Sequence, residues 1–147
     1  MTITPHPLAA ERVWRGIRTL VLDRHDRRKE VCEALDMSFI RVKALRRIAA
    51  EPMTLRQLAA RLASDPPYTT IVVDDLERRG LVRRDPHPTD RRFKIVTATP
   101  CGVAAAAVAE RILSEPPAPV LDLDPDELSI LDRVVTKLLG VDAESGS

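Results

Sequence analysis

The stretch TLRQLAARLASDPPYTTIVVDDLERRGLVRRDPHPTDRRFKIVTATPCG, residues 54–102, decides the fold because its apolar residues change their spacing. Up to Gly80 they recur at helical spacing, in two segments separated by a turn. After Gly80 they alternate, in LVRRD (81–85) and RFKIVTA (92–98), and DPHPTD (85–90) joins these segments with turn-forming Pro and Asp. Two short helices followed by an antiparallel hairpin predict a winged helix-turn-helix.

The ends of both helices carry clear boundary signals. TLRQ has the form of a capping box, in which Thr54 and Gln57 each satisfy a free amide of the first turn. In the turn SDPP, Asp65 is the predicted N-cap of the next helix, and Gly80 is its predicted left-handed C-cap. The residues predicted to face inward on this second helix are Val72, Val73 and Leu76.

Further helices are predicted on both sides of this stretch. Upstream, the apolar spacing predicts one long helix over residues 8–31 and a second helix that begins at Asp36 or Ser38. Downstream, it predicts helices over residues 101–114 and 125–139. The predicted fold class is therefore mainly α with a small antiparallel β-wing.

The C-terminal segment has boundary signals of its own. EPPAP (115–119) predicts a rigid break, and DPDE (124–127) is a second capping signature. Gly140 is expected to close the last helix, and the tail AESGS (143–147) is expected to be disordered.

Charge is distributed unevenly although the net value is only +1. Residues 38–100 hold 13 basic and 7 acidic side chains, a net charge of +6. Residues 101–147 hold 3 basic and 9 acidic side chains, a net charge of −6. Residues 1–37 are nearly neutral, at net +1. A basic middle segment favours a polyanionic partner such as nucleic acid; solvated faces of Arg-rich helices are the alternative interpretation.

Several function classes lack their sequence signals. The chain has two Cys and three His at no metal-ligand spacing, so neither a disulfide framework nor a metal or cofactor site is predicted. It lacks GxSxG, HExxH and a glycine-rich phosphate loop, so we do not expect an enzyme. The longest apolar run (103–109) is too short for a bilayer span and no signal peptide is apparent, so no membrane partner and a cytoplasmic location are expected.

Residues 54–102 resemble the MarR family of bacterial transcriptional regulators. The matching motifs are TLRQLAARL for the supporting helix, VVDDLERRGLVRR for the recognition helix running into the wing, and DPHPTDRRFKIVTATPCG for the wing and its exit. The sequence departs from the family pattern in having Pro67 where Ser or Thr is common, and Ile71 where Arg is common. A different base preference is therefore expected.

The resemblance implies a homodimer with a helical dimerisation platform that binds a pseudo-palindromic operator in double-stranded DNA. On this basis residues 1–37 form an N-terminal dimerisation helix, 38–100 the DNA-binding lobe, and 101–147 the C-terminal dimerisation helices. It also implies repression that a small aromatic or amphipathic effector relieves. The operator, the target genes, the effector, its contact residues and the choice between repression and activation stay open.

The recognition-helix and wing side chains give the candidate DNA contacts. Hydroxyl groups suit base edges and phosphates, and Arg suits a narrow minor groove. Asp90 is expected to orient Arg84 or Arg92 rather than to touch DNA. The full set of candidates is Thr54, Pro67, Tyr68, Thr69, Thr70, Arg84, Asp90, Arg91 and Arg92.

These residues can also be interpreted as ordinary surface residues without a role in binding. The arginines of the wing could be solvated turn residues, and the basic residues at 41–47 are more often a solvated helix face than a binding strip. A sensor role for Cys32 or Cys101 stays open, with little in the sequence to favour it. The alternative function is a winged-helix module for protein–protein contact without DNA binding.

Overall fold

The computed structural model describes residues 7–140, and the chain divides after Ser114 into two compact units. The first unit is helical with a small sheet, which confirms the predicted fold class. Its elements are α1 (Pro7–Arg18) with a π-helical continuation (Thr19–Arg24), α2 (Arg28–Leu35), α3 (Phe39–Ala50), β1 (Met53–Thr54), α4 (Leu55–Leu62), α5 (Pro66–Arg78), β2 (Val82–Pro86), β3 (Lys94–Ala98) and α6 (Pro100–Ser114). The second unit holds α7 (Ala118–Leu121) and α8 (Pro125–Leu138).

Helices α4 and α5 begin and end where the sequence signals predicted. The Thr54 Oγ1 accepts a hydrogen bond from the Gln57 amide at 3.2 Å, and the Thr54 amide donates to Gln57 Oε1 at 2.9 Å. The Asp65 carboxylate accepts from the Tyr68 amide at 2.7 Å. Gly80 has a φ of 76°, as a left-handed helix cap requires.

The wing is part of a three-stranded antiparallel sheet in the order β1-β3-β2. The predicted hairpin is confirmed, with Arg84 opposite Val96 in its register. Strand β1 was not predicted, because two residues are too few to show an alternating pattern. It pairs with β3 through Met53 opposite Val96 and Thr54 opposite Ile95, and so anchors the wing to the start of α4.

The core lies between the helix-turn-helix, the sheet and α6. Helix α3 packs against α4, α5 and α6, and α2 packs against α3 and α6. The three inward positions predicted on α5 are fully buried. The largest fully buried apolar side chains are Leu45, Ile48, Leu58, Leu76, Val31, Val42, Val72, Val73, Val82 and Val96.

The exit from the wing is tied to the end of α5 by Thr99. The Thr99 hydroxyl donates to the Gly80 carbonyl oxygen at 2.6 Å and accepts from the Gly102 amide at 3.1 Å. The Thr99 amide donates to the Leu81 carbonyl oxygen at 3.0 Å. One side chain therefore caps α6 and fixes the start of the wing at the same time.

The single long helix predicted over residues 8–31 is wrong. Helix α1 continues as a π-helical segment, and the chain then leaves helical geometry at residues 25–27. Asp26 stands at this break: its carboxylate accepts from the Arg28 amide at 2.9 Å and also pairs with the Arg28 guanidinium. These hydrogen bonds from Arg28 lower the pKa of Asp26 to about 2. Local capping by a short acidic side chain thus competes successfully with helix continuation.

Of the two predicted caps for the next helix, Ser38 holds the N-cap position of α3, although its side chain makes no capping bond. Asp36 instead closes α2 in the left-handed conformation, at a φ of 50°.

The second unit confirms the capping signature at Asp124, whose carboxylate accepts from the Glu127 amide at 2.9 Å. The predicted rigid break over 115–119 is partly wrong, because its last two residues begin α7. No residue of α8 is buried, so its apolar positions are all uncovered. The tail 143–147 lies outside the described residues.

Candidate nucleic-acid interface

Helix α5 presents one continuous outward stripe opposite its buried face. Pro67, Ile71, Asp74 and Arg78 are exposed and recur at intervals of three and four residues. Tyr68 is also exposed, at the edge of this stripe. The largest apolar member is Ile71, with 55% of its surface accessible. The stripe therefore combines apolar, aromatic and charged side chains within reach of an approaching partner.

Thr69 is a correction to the predicted contacts. It is fully buried, and its hydroxyl donates to the Asp65 carbonyl oxygen at 2.9 Å. From this position it cannot touch DNA, so its assignment as a contact is wrong. Thr70 is half-buried, and its hydroxyl donates to the Pro66 carbonyl oxygen at 3.0 Å. Its oxygen can still accept a hydrogen bond.

The wing tip is organised by Asp90. Its carboxylate accepts from Nε of Arg92 at 3.0 Å, from Nη2 at 2.8 Å and from the Arg92 amide at 3.2 Å. These bonds lower the pKa of Asp90. The expectation that Asp90 orients a neighbouring arginine is confirmed for Arg92, whose guanidinium also lies 5.7 Å from the ring centroid of Phe93.

Arg91 and His87 complete the tip in different ways. The Arg91 side chain is exposed and makes no hydrogen bond or ion pair with any residue of 7–140. His87 Nδ1 accepts from the amides of Thr89 at 3.1 Å and Asp90 at 3.2 Å, which folds the turn. The His87 side chain thus holds the turn together, and Arg91 can reach outward.

Arg84 is held within the lobe. Its guanidinium pairs with Asp74 of α5, only 19% of its side-chain surface is accessible, and its buried Nε has no partner among the described residues. This pair joins β2 to the recognition helix. The structure therefore places Arg84 as a link between wing and helix, with limited surface left for DNA.

A cleft of about 420 Å³ lies between the first turn of α4 and strand β3. Thr54 is at its edge, half-buried, with its hydroxyl oxygen engaged in the capping box. Four of the lining residues were not among the site residues predicted from the sequence, because the helix and strand patterns gave no reason to assign them to a site. The lining residues are Thr54, Leu55, Arg56, Arg84, Arg92, Phe93 and Lys94.

Asp75 fixes the C-terminal half of α5 against α3. Its carboxylate accepts from Arg79 Nε and from Arg41 Nε, each at 2.8 Å, and only 19% of its side chain is accessible. The bond from Arg79, with that from Arg41, lowers the pKa of Asp75. Arg79 also donates to the Asp36 carbonyl oxygen at 2.8 Å. A charged cluster therefore ties the recognition helix to the α2–α3 junction.

Two structural features are absent from residues 7–140, a cluster of potential metal ligands and a membrane-spanning helix. No three His, Cys, Asp or Glu side chains in this range are grouped as metal ligands would be, and no helix in it is long and apolar enough to cross a membrane. Cys32 is half-buried against the core and Cys101 is exposed, and both are free thiols.

Two packed helices, an outward recognition face and an arginine-tipped wing define a winged helix-turn-helix protein. Residues 41–94 match the model of the MarR family, which confirms the resemblance seen in the sequence. Over these residues the chain is similar to the MarR family. No curated protein is detectably similar to it.

Several solved structures are similar to nearly the whole chain. A Cys-to-Ser mutant of MarR from E. coli complexed with operator DNA is 25% identical, with a TM-score of 0.62 over 89% of this chain and 96% of that one. Wild-type apo MarR from E. coli is 23% identical, with a TM-score of 0.67 over 94% and 99%. The YusO protein from Bacillus subtilis is 17% identical, with a TM-score of 0.71 over 95% and 100%.

Proposed function

We propose that this chain is a DNA-binding transcriptional regulator that inserts α5 into the major groove and the wing tip into a neighbouring minor groove. The observation that carries the proposal is the exposed stripe of α5, held by the Arg84–Asp74 pair beside a wing whose tip presents Arg91 and Arg92. A helix in the major groove reads base edges, and arginine is attracted to a narrow minor groove. Its place of action is then the cytoplasm.

Ile71 has a specific part in this proposal. It is the most exposed large hydrophobic side chain of α5, and contact with water does not stabilise an apolar side chain. In the major groove, the methyl group of thymine is an apolar partner. Ile71 therefore joins Pro67, Tyr68 and Thr70 as a residue that sets base preference, while Arg91 and Arg92 supply binding that is mainly electrostatic.

The charge distribution supports the same surface. The lobe of residues 38–100 has a net charge of +6, although the entire chain has only +1. Such a concentration favours DNA over a neutral protein partner and predicts binding that weakens steeply with salt. The E. coli MarR complex with operator DNA shows that this fold binds DNA in a relative at 25% identity.

We further propose that the regulator acts as a homodimer, with residues 1–37 and 101–147 supplying the dimerisation helices. Helix α1 buries no residue and exposes Val13 at 59% and Trp14 at 66%. Helix α8 also buries none, and its exposed apolar residues are Leu128, Ile130, Leu131, Val134, Val135 and Leu138. Apolar faces of this size on both elements favour burial against a second copy, and a two-fold dimer matches a pseudo-palindromic operator.

Repression relieved by a small aromatic or amphipathic effector is the proposed mode of regulation. A ligand that binds the DNA-free form more tightly must, by linkage, bind more weakly in the presence of operator by the same factor. Titration of aromatic acids with and without operator DNA measures this factor. Equal affinity in both titrations would exclude this mechanism for the acid tested.

The experiment that tests the function is selection of fragments from the chain's own genome by the purified protein. We expect enrichment of discrete fragments that contain an inverted repeat, and sedimentation of the free protein as a dimer at micromolar concentration. Retention of all fragments alike, or of none, would contradict sequence-specific binding. A stable monomer would contradict the dimer.

A further inference from the structure

We propose that the π-helical segment after α1 builds a binding site for a small molecule that carries phosphate groups. The site is a groove of about 380 Å³ along one face of α1 and this segment. It lies outside the DNA-binding lobe, so the inference goes beyond the proposed function and does not rest on it. The residues that line the groove are Arg12, Arg15, Gly16, Thr19, Leu20 and Arg24.

The π-helical geometry brings Arg24 to the face of the helix on which Thr19 lies. The His25 amide donates to the Leu20 carbonyl oxygen at 3.1 Å, and this bond spans five residues as in a π-helix. Residues five apart, such as Thr19 and Arg24, therefore come together, and both line the groove. In a regular α-helix Arg24 would instead share a face with Val21, an apolar residue three positions earlier. Single π-helical turns are rare and are frequent at functional sites.

The groove collects positive charge that the protein does not neutralise. Arg12 and Arg24 are exposed, and neither makes a hydrogen bond or ion pair with a residue of the described range 7–140. Arg15 pairs with Glu11, which is not one of the lining residues. Like charges that share one groove repel each other, so a bound anion stabilises the arrangement. A guanidinium group donates two parallel hydrogen bonds to phosphate oxygen atoms, and phosphate is therefore the group that fits best.

Gly16 and Thr19 give the groove a floor between the arginines. A Cβ atom placed on Gly16 would meet nothing within 4 Å, so a ligand can approach the helix backbone at this point. Thr19 is half-buried, and its hydroxyl makes no hydrogen bond with any residue of 7–140. By contrast, the hydroxyls of Thr69 and Thr70 each donate to a carbonyl oxygen of their own helix. The Thr19 hydroxyl can therefore donate to an oxygen atom of the ligand.

The position of the groove favours a small ligand over DNA and leaves room for a second copy of the chain. None of the lining residues belongs to the basic lobe of residues 38–100. The volume is in the range of small-molecule sites. Val13 and Trp14, the exposed apolar residues that we assign to the dimer contact, are not lining residues either. The ligand and the second copy therefore occupy different faces of α1.

The test is calorimetric titration of the full chain with inorganic pyrophosphate, which has two phosphate groups and neither sugar nor base. The first variant is Arg12→Gln with Arg24→Gln. Its matched control is Lys29→Gln with Arg111→Gln, which removes two exposed cations that do not line the groove. The second variant, Gly16→Leu, keeps every charge but fills the floor of the groove. Thermal unfolding of each variant shows that the fold is retained.

We expect the wild-type protein to bind pyrophosphate and the double arginine variant to bind it at least about tenfold more weakly, because hydrogen bonds to charged groups are lost. Gly16→Leu should weaken binding by a similar factor, although no charge has changed. The control should stay within about twofold of wild type. The affinity for a 30-base-pair duplex should be the same in the double arginine variant and the control, since both lose two cations outside the DNA-binding surface.

Three results would overturn the inference. If the wild-type protein binds no pyrophosphate, or if the groove variant and the control lose affinity equally, the arginines are a solvated helix face. If Gly16→Leu binds as wild type does, the attraction is general and the groove is not its site. If the double arginine variant loses duplex affinity while the control keeps it, the arginines bind DNA instead. The selection of genomic fragments tests the proposed function separately, so either proposal can fail without the other.

Discussion

A Cβ atom placed on Gly102 would lie 1.9 Å from the carbonyl oxygen of Leu81, closer than any two such atoms can approach. Backbone of α6 and backbone at the start of the wing are therefore in direct contact. The Thr99 hydrogen bonds described above hold the same junction. The absence of a side chain at position 102 is what permits α6 to pack against the start of the wing.

Gly102→Ala is expected to lower the free energy of unfolding by about 1–3 kcal/mol, because the backbone must shift to relieve the overlap. Gly16→Ala is the control, since a Cβ there meets nothing within 4 Å. It should stabilise α1 by about 0.5–1 kcal/mol, as alanine does in a helix interior. Urea unfolding at one fixed protein concentration measures both. Equal effects of the two substitutions would show that the close contact does not exist.

The Asp75 cluster makes stability depend on pH. Its pKa is lowered in the folded protein, so its contribution is fully present above the pKa of the unfolded chain, near 3.9, and is lost as pH falls through the folded value. Asp75→Asn should therefore unfold more easily than wild type at pH 7, and the difference should shrink below about pH 4. Asp23→Asn, at an exposed residue without a partner in the described range, is the control.

Urea unfolding between pH 2 and pH 7 measures this dependence. If Asp75→Asn and wild type differ by a constant amount over the whole range, the ion pairs of Asp75 with Arg41 and Arg79 do not act on stability.

Arg91→Ala should weaken binding to all duplexes by a similar factor and reduce the size of the salt slope by about 0.9 per protomer. The reason is that the free guanidinium of Arg91 meets phosphate or a narrow minor groove and reads little sequence. Arg47→Ala removes an exposed cation from α3 and is expected to change neither quantity. Fluorescence anisotropy over a range of salt concentrations measures both. A greater loss of DNA affinity for Arg47→Ala than for Arg91→Ala would show that the binding face lies on α3.

Substitutions at Ile71 should change which base pairs are preferred. Ile71→Arg is expected to shift the preference toward guanine at one position of each half-site, because arginine pairs with two acceptors of guanine in the major groove. The favoured base pair should gain about 1–3 kcal/mol over its competitors. Ala104→Arg adds the same charge at an exposed position of α6 and controls for general attraction to DNA.

Selection from a randomised pool of duplexes reports these preferences directly. An Ile71→Arg variant that selects the same sequences as wild type would show that Ile71 does not face the bases.

Local signals explain why the helix-turn-helix and its wing could be predicted from sequence. Thr54 and Asp65 each accept a hydrogen bond from a backbone amide at the start of a helix, and Gly80 has the left-handed conformation that ends one. The limits of both helices therefore follow from single residues. Strand β1 could not be predicted in this way, because its two residues acquire their conformation from β3, which is distant in sequence. The break at Asp26 was missed because the flanking apolar residues continue at helical spacing.

The sequence did contain a signal that Thr69 is buried. Thr69 precedes Val72 by three residues and Leu76 by seven, so it shares their helix face and is buried with them. Pro67 and Ile71 lie on the opposite face. The cleft residues Arg56, Phe93 and Lys94 had no comparable signal, because only the pairing of β1 with β3 brings α4 and the wing together.

The most direct test of the DNA-reading surface is a hydroxyl-radical footprint of the full chain on a genomic fragment that it selects. We expect two protected half-sites with centres about 34 Å apart, one helical turn, as two recognition helices of a dimer require. The protection should extend to the backbone beside each half-site, where the wing tip binds. A single protected site, or uniform protection that no base sequence alters, would contradict binding of a dimer to two half-sites.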